Sequence, residues 1–148
     1  MALSIWKRQE EITRQLSAWA AISILTGGLL ALDPARQRKG IGVQFIGWGV
    51  VNGLIALVGG RGAEKRRAQL PDPEAPHVQA QERQNLKRLL WINSGLDVLY
   101  IAGGLGLARG KGRTDPYWRG QGWGVMLQGL FLLCFDSLHA LFLQESEA

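Results

Sequence analysis

The sequence predicts an all-α integral membrane protein whose four transmembrane helices form two tandem hairpins. Three observations predict this. Residues 15–32, 40–60 and 120–135 contain no charged side chain, and a fourth run, 89–108, is broken only by Asp97. At 1.5 Å per residue, about 20 helical residues cross a hydrocarbon core of about 30 Å. The runs are apolar nearly all round, whereas a soluble helix keeps a polar face. All five prolines lie outside the spans. A chain of 148 residues that is 47% hydrophobic and 20% charged has room for one domain, with its charges gathered into the connections.

Residues 1–15 read as an interfacial amphipathic helix that runs into the first span. Ile5, Ile12, Leu16 and Trp19 share one helical face, Glu10 and Arg14 form an i,i+4 pair on the other, and Trp6 is placed as an interface anchor. The mixed charges of this stretch, Lys7, Arg8, Glu10, Glu11 and Arg14, are not those of a cleavable leader. Residues 16–58 form the first hairpin, turning at Asp33-Pro34. Residues 59–88 are an exposed linker between the halves. In it, three prolines within Leu70-Pro-Asp-Pro-Glu-Ala-Pro-His77 exclude helix, while Glu64-Lys-Arg-Arg67 and residues 78–88 favour it. Residues 89–143 form the second hairpin, turning at Asp115-Pro116. Tyr117, Trp118 and Trp123 make an aromatic belt at the entry of the fourth span. An acidic tail with Glu145 and Glu147 ends the sequence.

The two hairpins read as a parallel internal repeat. Gly27-Gly28 aligns with Gly103-Gly104, Asp33-Pro34 with Asp115-Pro116, and Lys39-Gly40 with Arg119-Gly120. In the second and fourth spans Gln44 then aligns with Gln128, and Asn52 with Asp136. Two-span units enter the membrane from the same side, which gives a pseudo-two-fold axis along the membrane normal. Ten of the 17 Lys and Arg residues lie in the N-terminal segment and the long linker, so the positive-inside rule places both termini in the cytoplasm, with the chain as a multi-pass protein of the cell membrane.

Seven polar side chains within the spans form the candidate polar cluster: Gln44, Asn52, Asn93, Asp97, Gln128, Asp136 and His139. Helical rise places Asn52, Asn93, Asp97 and Asp136 at related depths, about 6–12 Å below the surface that holds the termini. Asn93, Asp97 and Tyr100 share a stripe, as do Gln44, Trp48 and Asn52, and Gln128, Asp136 and His139 lie within one arc. A charge at span centre costs roughly 2.5–3.5 kcal/mol on insertion scales, so such groups face the bundle interior and find partners. The two carboxyls then have two readings, a site for a ligand, proton or ion, or an interhelical hydrogen-bond cluster that fixes packing.

Other chemistries find no support. Cys134 stands alone, which excludes an intrachain disulfide and thiol-pair redox chemistry. Asp136-x-x-His139 offers two metal ligands on one face without a third. No phosphate loop or nucleophile–base set is present, and no cofactor is expected. The basic loops suit lipid headgroups rather than nucleic acid. Gly49-Val-Val-Asn-Gly53 has the small-xxx-small spacing of helix association, within this chain, with a second copy or with another membrane protein.

The layout of four spans, with a glycine-rich start to the fourth span followed by Gln128 and Asp136, resembles the small four-helix bacterial membrane proteins grouped as domains of unknown function. That resemblance implies the fold and no activity. The chain is similar in size to small multidrug and fluoride exporters but lacks the glutamate in span one and the fluoride-channel motif. The expectation is a non-enzymatic accessory, assembly or interaction protein with a buried polar packing cluster. The alternative is a small-molecule or proton-coupled carrier that uses Asp97 and Asp136.

Overall fold

The computed structural model describes residues 4–145, and all its regular secondary structure over them is helical. Residues 1–3 of the expected interfacial helix, and Glu147 of the acidic tail, lie outside it. Helix α1 spans Ile5–Ala31, α2 Arg36–Gln69, α3 Pro76–Arg109 and α4 Pro116–Glu145, and a short 3₁₀ turn, Lys111–Arg113, precedes α4. Three of these helices are long and apolar enough to cross a membrane: Arg36–Gln69, Pro76–Arg109 and Pro116–Leu143. Only 22% of the apolar windows of α2 and α3, and 39% of that of α4, is buried inside the protein, so their apolar side chains point mainly outward. Leu25, Leu29, Val58 and Leu99 are among the most exposed. Helix α1 carries its uncharged run along α2, with Ala20 against Gly49 and Thr13 against Gly60.

Consecutive helices are antiparallel. The chain packs α1 on α2 and α3 on α4, and the two hairpins meet where the parallel helices α2 and α4 touch. Close approach at glycine makes these contacts. A Cβ built on Gly27 would lie 2.7 Å from the carbonyl oxygen of Gly42, and one on Gly104 would lie 2.6 Å from that of Gly122. Neither space admits a methyl group. Gly49 backs onto Ala20 in the first hairpin, as Gly129 backs onto Asp97 in the second. Between hairpins, Gly40 faces the Tyr117 carbonyl while Gly120 faces the Gln37 carbonyl.

Similar contacts thus recur in both hairpins, in the 80-residue spacing of Gly40 and Gly120 and not the 84-residue spacing of Gln44 and Gln128. They match Gly42 with Gly122 and Gly49 with Gly129, each pair 80 residues apart, whereas aligning Gln44 with Gln128 and Asn52 with Asp136 requires 84. The difference is one helical turn, which leaves every residue on the same face and is therefore invisible to a facial pattern. In the contact register Asn52 corresponds to Leu132, and Asp136 to Ala56.

The Asp-Pro turns are built alike. Asp33 Oδ1 accepts the Ala35 N–H at 2.8 Å, and Asp115 Oδ1 accepts the Tyr117 N–H at 2.9 Å. That backbone bond, with Arg38 at 2.7 Å, holds the Asp33 carboxyl below the usual carboxylate range. Arg36 reaches Asp115 at 3.0 Å and Arg119 reaches Gln37 at 3.1 Å, joining the two turns.

At the opposite, terminal end, 34-residue helices about 50 Å long overshoot the hydrocarbon thickness. Their protruding ends make the 59–88 segment two helical stubs joined at 70–75, not a loose tether. Pro76 and His77, expected to lie outside helix, open α3, where a proline at the first turn gives up no hydrogen bond. The start of α1 docks on these stubs. Ile5 N–H donates to Gln79 Oε1 at 2.8 Å, and Trp6 Nε1–H donates to the Pro73 carbonyl at 2.8 Å. Trp6 is 5% exposed, a core residue and not the expected interface anchor. It joins Ile5, Ile12, Leu90, Ala140 and Leu143 in the one buried apolar cluster among the described residues. Residues 5–15 form one helix with the first charge-free run, and their apolar face closes this end of the bundle.

Candidate functional site

The seven intramembrane polar residues separate into four places. Gln128 is fully buried between α4 and α1. Its Oε1 accepts the Trp19 indole N–H at 2.9 Å and its Nε2 donates to Ser23 Oγ at 3.1 Å, while Trp19 stacks on Phe131 at 3.6 Å between ring centres. Gln44 donates to Gln121 Oε1 across the α2–α4 contact. His139 Nε2 pairs with Gln15 Oε1 of α1 at 3.0 Å, and its ring lies edge-on to Phe135. His139 therefore faces α1, away from the carboxyls. Among the described residues no three His, Cys, Asp or Glu side chains come together.

The remaining four converge. Asn52 from α2, Asn93 and Asp97 from α3, and Asp136 from α4 line one chamber of about 180 Å³, whose wall also includes the exposed Val51, Ile55 and Leu96. Leu16, Leu132, Trp48 and Tyr100 complete much of its wall, the last two rings meeting edge to face at 4.8 Å. Asp97 and Asp136 stand side by side, close enough for their carboxyls to interact. Beside them Ser94 Oγ bonds the Leu90 carbonyl at 3.0 Å and lies 3.1 Å from Ser137 Oγ. Two buried atoms in the chamber have no hydrogen-bond partner among the described residues: Asn52 Nδ2 and Asp97 Oδ2. Their side chains belong to residues 2% and 3% exposed.

A larger cavity of about 480 Å³ adjoins this chamber and shares Leu16, Ile55, Asn93 and Asp136 with it. All four helices contribute to its lining, α4 through Phe135 and Asp136. Ile12, Leu86, Leu89, Leu90 and Phe135 make most of its wall apolar. Its rim, at the helical stubs, carries Gln9, Asn85, Arg66 and Glu82, the last two 3.4 Å apart as an ion pair. From Glu82 at the rim to Asn93 at the floor is about 16 Å along α3. The combination of a mostly apolar wall, a polar rim and a few converging polar groups at the closed end is the form of a small-molecule site.

Sequence reasoning did not single out Ser94, Ser137, Ser23, Gln121 or the Arg66–Glu82 rim. Ser94 was accessible to it: Leu90, Ser94 and Asp97 follow the 4, 3 spacing of the α3 face that packs on α4. The others depend on which helices are neighbours.

Fold and site together define a small helical protein with three helices long and apolar enough to cross a membrane and a chamber at which four of its polar side chains meet. The chain belongs to the DUF6992 family, a family of unknown function, whose pattern matches residues 15–137. The match runs from the charge-free part of α1 to just beyond Asp136 and so takes in the chamber. No curated protein and no solved structure matches the chain.

Proposed function

We propose that this chain is a non-enzymatic accessory protein of the cell membrane that binds a small amphipathic molecule in its internal cavity. In this reading all four helices cross the bilayer as an internally repeated pair of hairpins, with both termini cytoplasmic. Helix α1 lies along α2 for its whole apolar length, so it crosses wherever α2 does. The recurrence of Gly27–Gly42 as Gly104–Gly122 supports the repeat. The distribution of Lys and Arg supports the orientation.

The observation that carries the binding reading is the cavity that leads from the polar rim to Asp136 and Asn93. A cluster that served packing alone would satisfy its own members, because a half-satisfied buried network is worse than an apolar one. Gln128 fits such a packing role, with both ends of its amide bonded. Asn52 and Asp97 do not, since each leaves a buried atom without a partner among the described residues while the residue itself lines the chamber.

The test is native mass spectrometry of protein extracted with its surrounding lipid. Gly59 borders the cavity, and a Cβ added there meets nothing within 4 Å, so Gly59→Phe fills the cavity without a backbone clash. Wild-type protein is expected to retain a small amphiphile that Gly59→Phe loses. A wild-type protein free of any such molecule, or one whose adduct survives the filling, would refute the reading.

A further inference from the structure

We infer that the molecule held in the cavity carries an uncharged hydroxyl headgroup on an apolar body, with the hydroxyl seated between Asn52 and Asp97. The inference rests on the binding reading above and specifies the chemistry it requires. Asn52 Nδ2 is a buried donor with no acceptor in the described protein, and Asp97 Oδ2 is a buried acceptor with no donor. Both residues line the same chamber. A buried polar atom left unsatisfied costs about 1–3 kcal/mol, so the chamber favours a guest that satisfies both.

The two free atoms restrict the guest's chemistry. An ammonium group donates but does not accept, so it leaves Asn52 unpaired, and a quaternary ammonium does neither. A carboxylate or phosphate accepts but does not donate, and it would meet Asp97 and Asp136 with no cation in the chamber wall to offset it. A hydroxyl does both at one atom: its O–H points at Asp97 while its oxygen accepts the Asn52 N–H. The chamber, at about 180 Å³, has room for the hydroxyl and the carbons next to it, and the adjoining 480 Å³ of mostly apolar cavity has room for the rest of the body. The edge-to-face pair of Trp48 and Tyr100 gives the chamber apolar ring surface, suited to carbon next to the hydroxyl.

Equilibrium binding to the full chain in lipid nanodiscs tests this with three probes of equal chain length: 1-dodecanol, dodecylamine and dodecanoate. Gly59→Phe gives the background of partition into lipid. We expect 1-dodecanol to bind above that background and at least about tenfold more tightly than the other two, the factor a charge-assisted hydrogen bond supplies. Asn52→Ala should lower dodecanol binding roughly tenfold, and Asn52→Ser, which restores a donor, should recover part of it. Tightest binding of dodecylamine would make the chamber a cation site and overturn the hydroxyl assignment while leaving the binding reading intact. Equal binding of all three, or an Asn52→Ala variant that binds like wild type, means that the chamber holds only water and also overturns it. Binding of no probe above the Gly59→Phe background would remove the binding reading itself.

Discussion

Gln128 shows how one buried amide can join two helices. It sits between a donor, the Trp19 indole, and a hydroxyl, Ser23, and uses both ends of its side chain. Leucine has nearly the same volume but neither bonding group, and it would leave the Trp19 N–H and Ser23 Oγ facing hydrocarbon. Interhelical hydrogen bonds in membranes average about 0.6 kcal/mol and reach about 1.7. Gln128→Leu is therefore expected to destabilise the protein by about 1–2 kcal/mol, measured by reversible unfolding in mixed micelles. A neutral result would mean that the bonds contribute nothing net. Trp6 makes a larger contribution through burial. Trp6→Ala removes a 5%-exposed indole together with its bond to Pro73, and the expected loss is about 3–5 kcal/mol. An interfacial anchor would lose far less, so the same unfolding measurement separates the two roles. The polar groups themselves were legible in the sequence, because a carboxyl or amide in a charge-free run stands out. Their partners were not. A helical wheel fixes which residues share a face of one helix but not which helix that face meets. Thus Asn52, Asn93, Asp97 and Asp136 converge, while Gln128 and His139, on the arc that also carries Asp136, turn to α1.

At the scale of the helix, glycine position governs packing. No described residue has a positive φ, so here the glycines serve close approach rather than special backbone geometry. Adjacent residues make the contrast. A Cβ on Gly104 would meet the Gly122 carbonyl at 2.6 Å, whereas one on Gly103 meets nothing within 4 Å. Gly104→Ala must push α3 from α4 and is expected to cost about 1–3 kcal/mol. Gly103→Ala should be neutral or stabilising by up to about 1 kcal/mol, from the higher helix propensity of alanine. Equal effects from the two variants would show that α3 and α4 do not meet in this register. The helical stretches were readable from the charge-free runs and the proline positions. The register between the hairpins was legible only in part: Lys39-Gly40 and Arg119-Gly120 stand 80 residues apart and Gln44 and Gln128 84, a shift of one turn preserves every face, and backbone contacts such as Gly42 with Gly27 and Gly122 with Gly104 favour 80.

At the scale of the whole molecule, the proposed membrane arrangement puts the two ends of the bundle on opposite sides of the bilayer, and this can be measured. The terminal end holds the α1 start, the stubs and the 70–75 connection, bound together by Ile5–Gln79 and Trp6–Pro73. The turn end holds both Asp-Pro turns, bound by Arg36–Asp115. If α1 crosses with α2, Ser4 and Asp72 lie on one side of the membrane, and Ala35 and Thr114 on the other. Cys134 is exposed on α4 and must first be removed, so the experiment starts from Cys134→Ala. Single cysteines are then placed at Ser4, Asp72, Ala35 and Thr114. In intact cells a membrane-impermeant maleimide is expected to label Ala35→Cys and Thr114→Cys, and to reach Ser4→Cys and Asp72→Cys only after lysis. Labelling of Asp72→Cys instead of Thr114→Cys would invert the orientation while leaving the fold intact. Labelling of Ser4→Cys together with Ala35→Cys would mean that α1 does not cross. That result would also separate α1 from α2 in the membrane, and with it remove the α1 wall of the cavity, since Ile12 and Leu16 reach the cavity only from a helix that runs beside α2 through the bilayer.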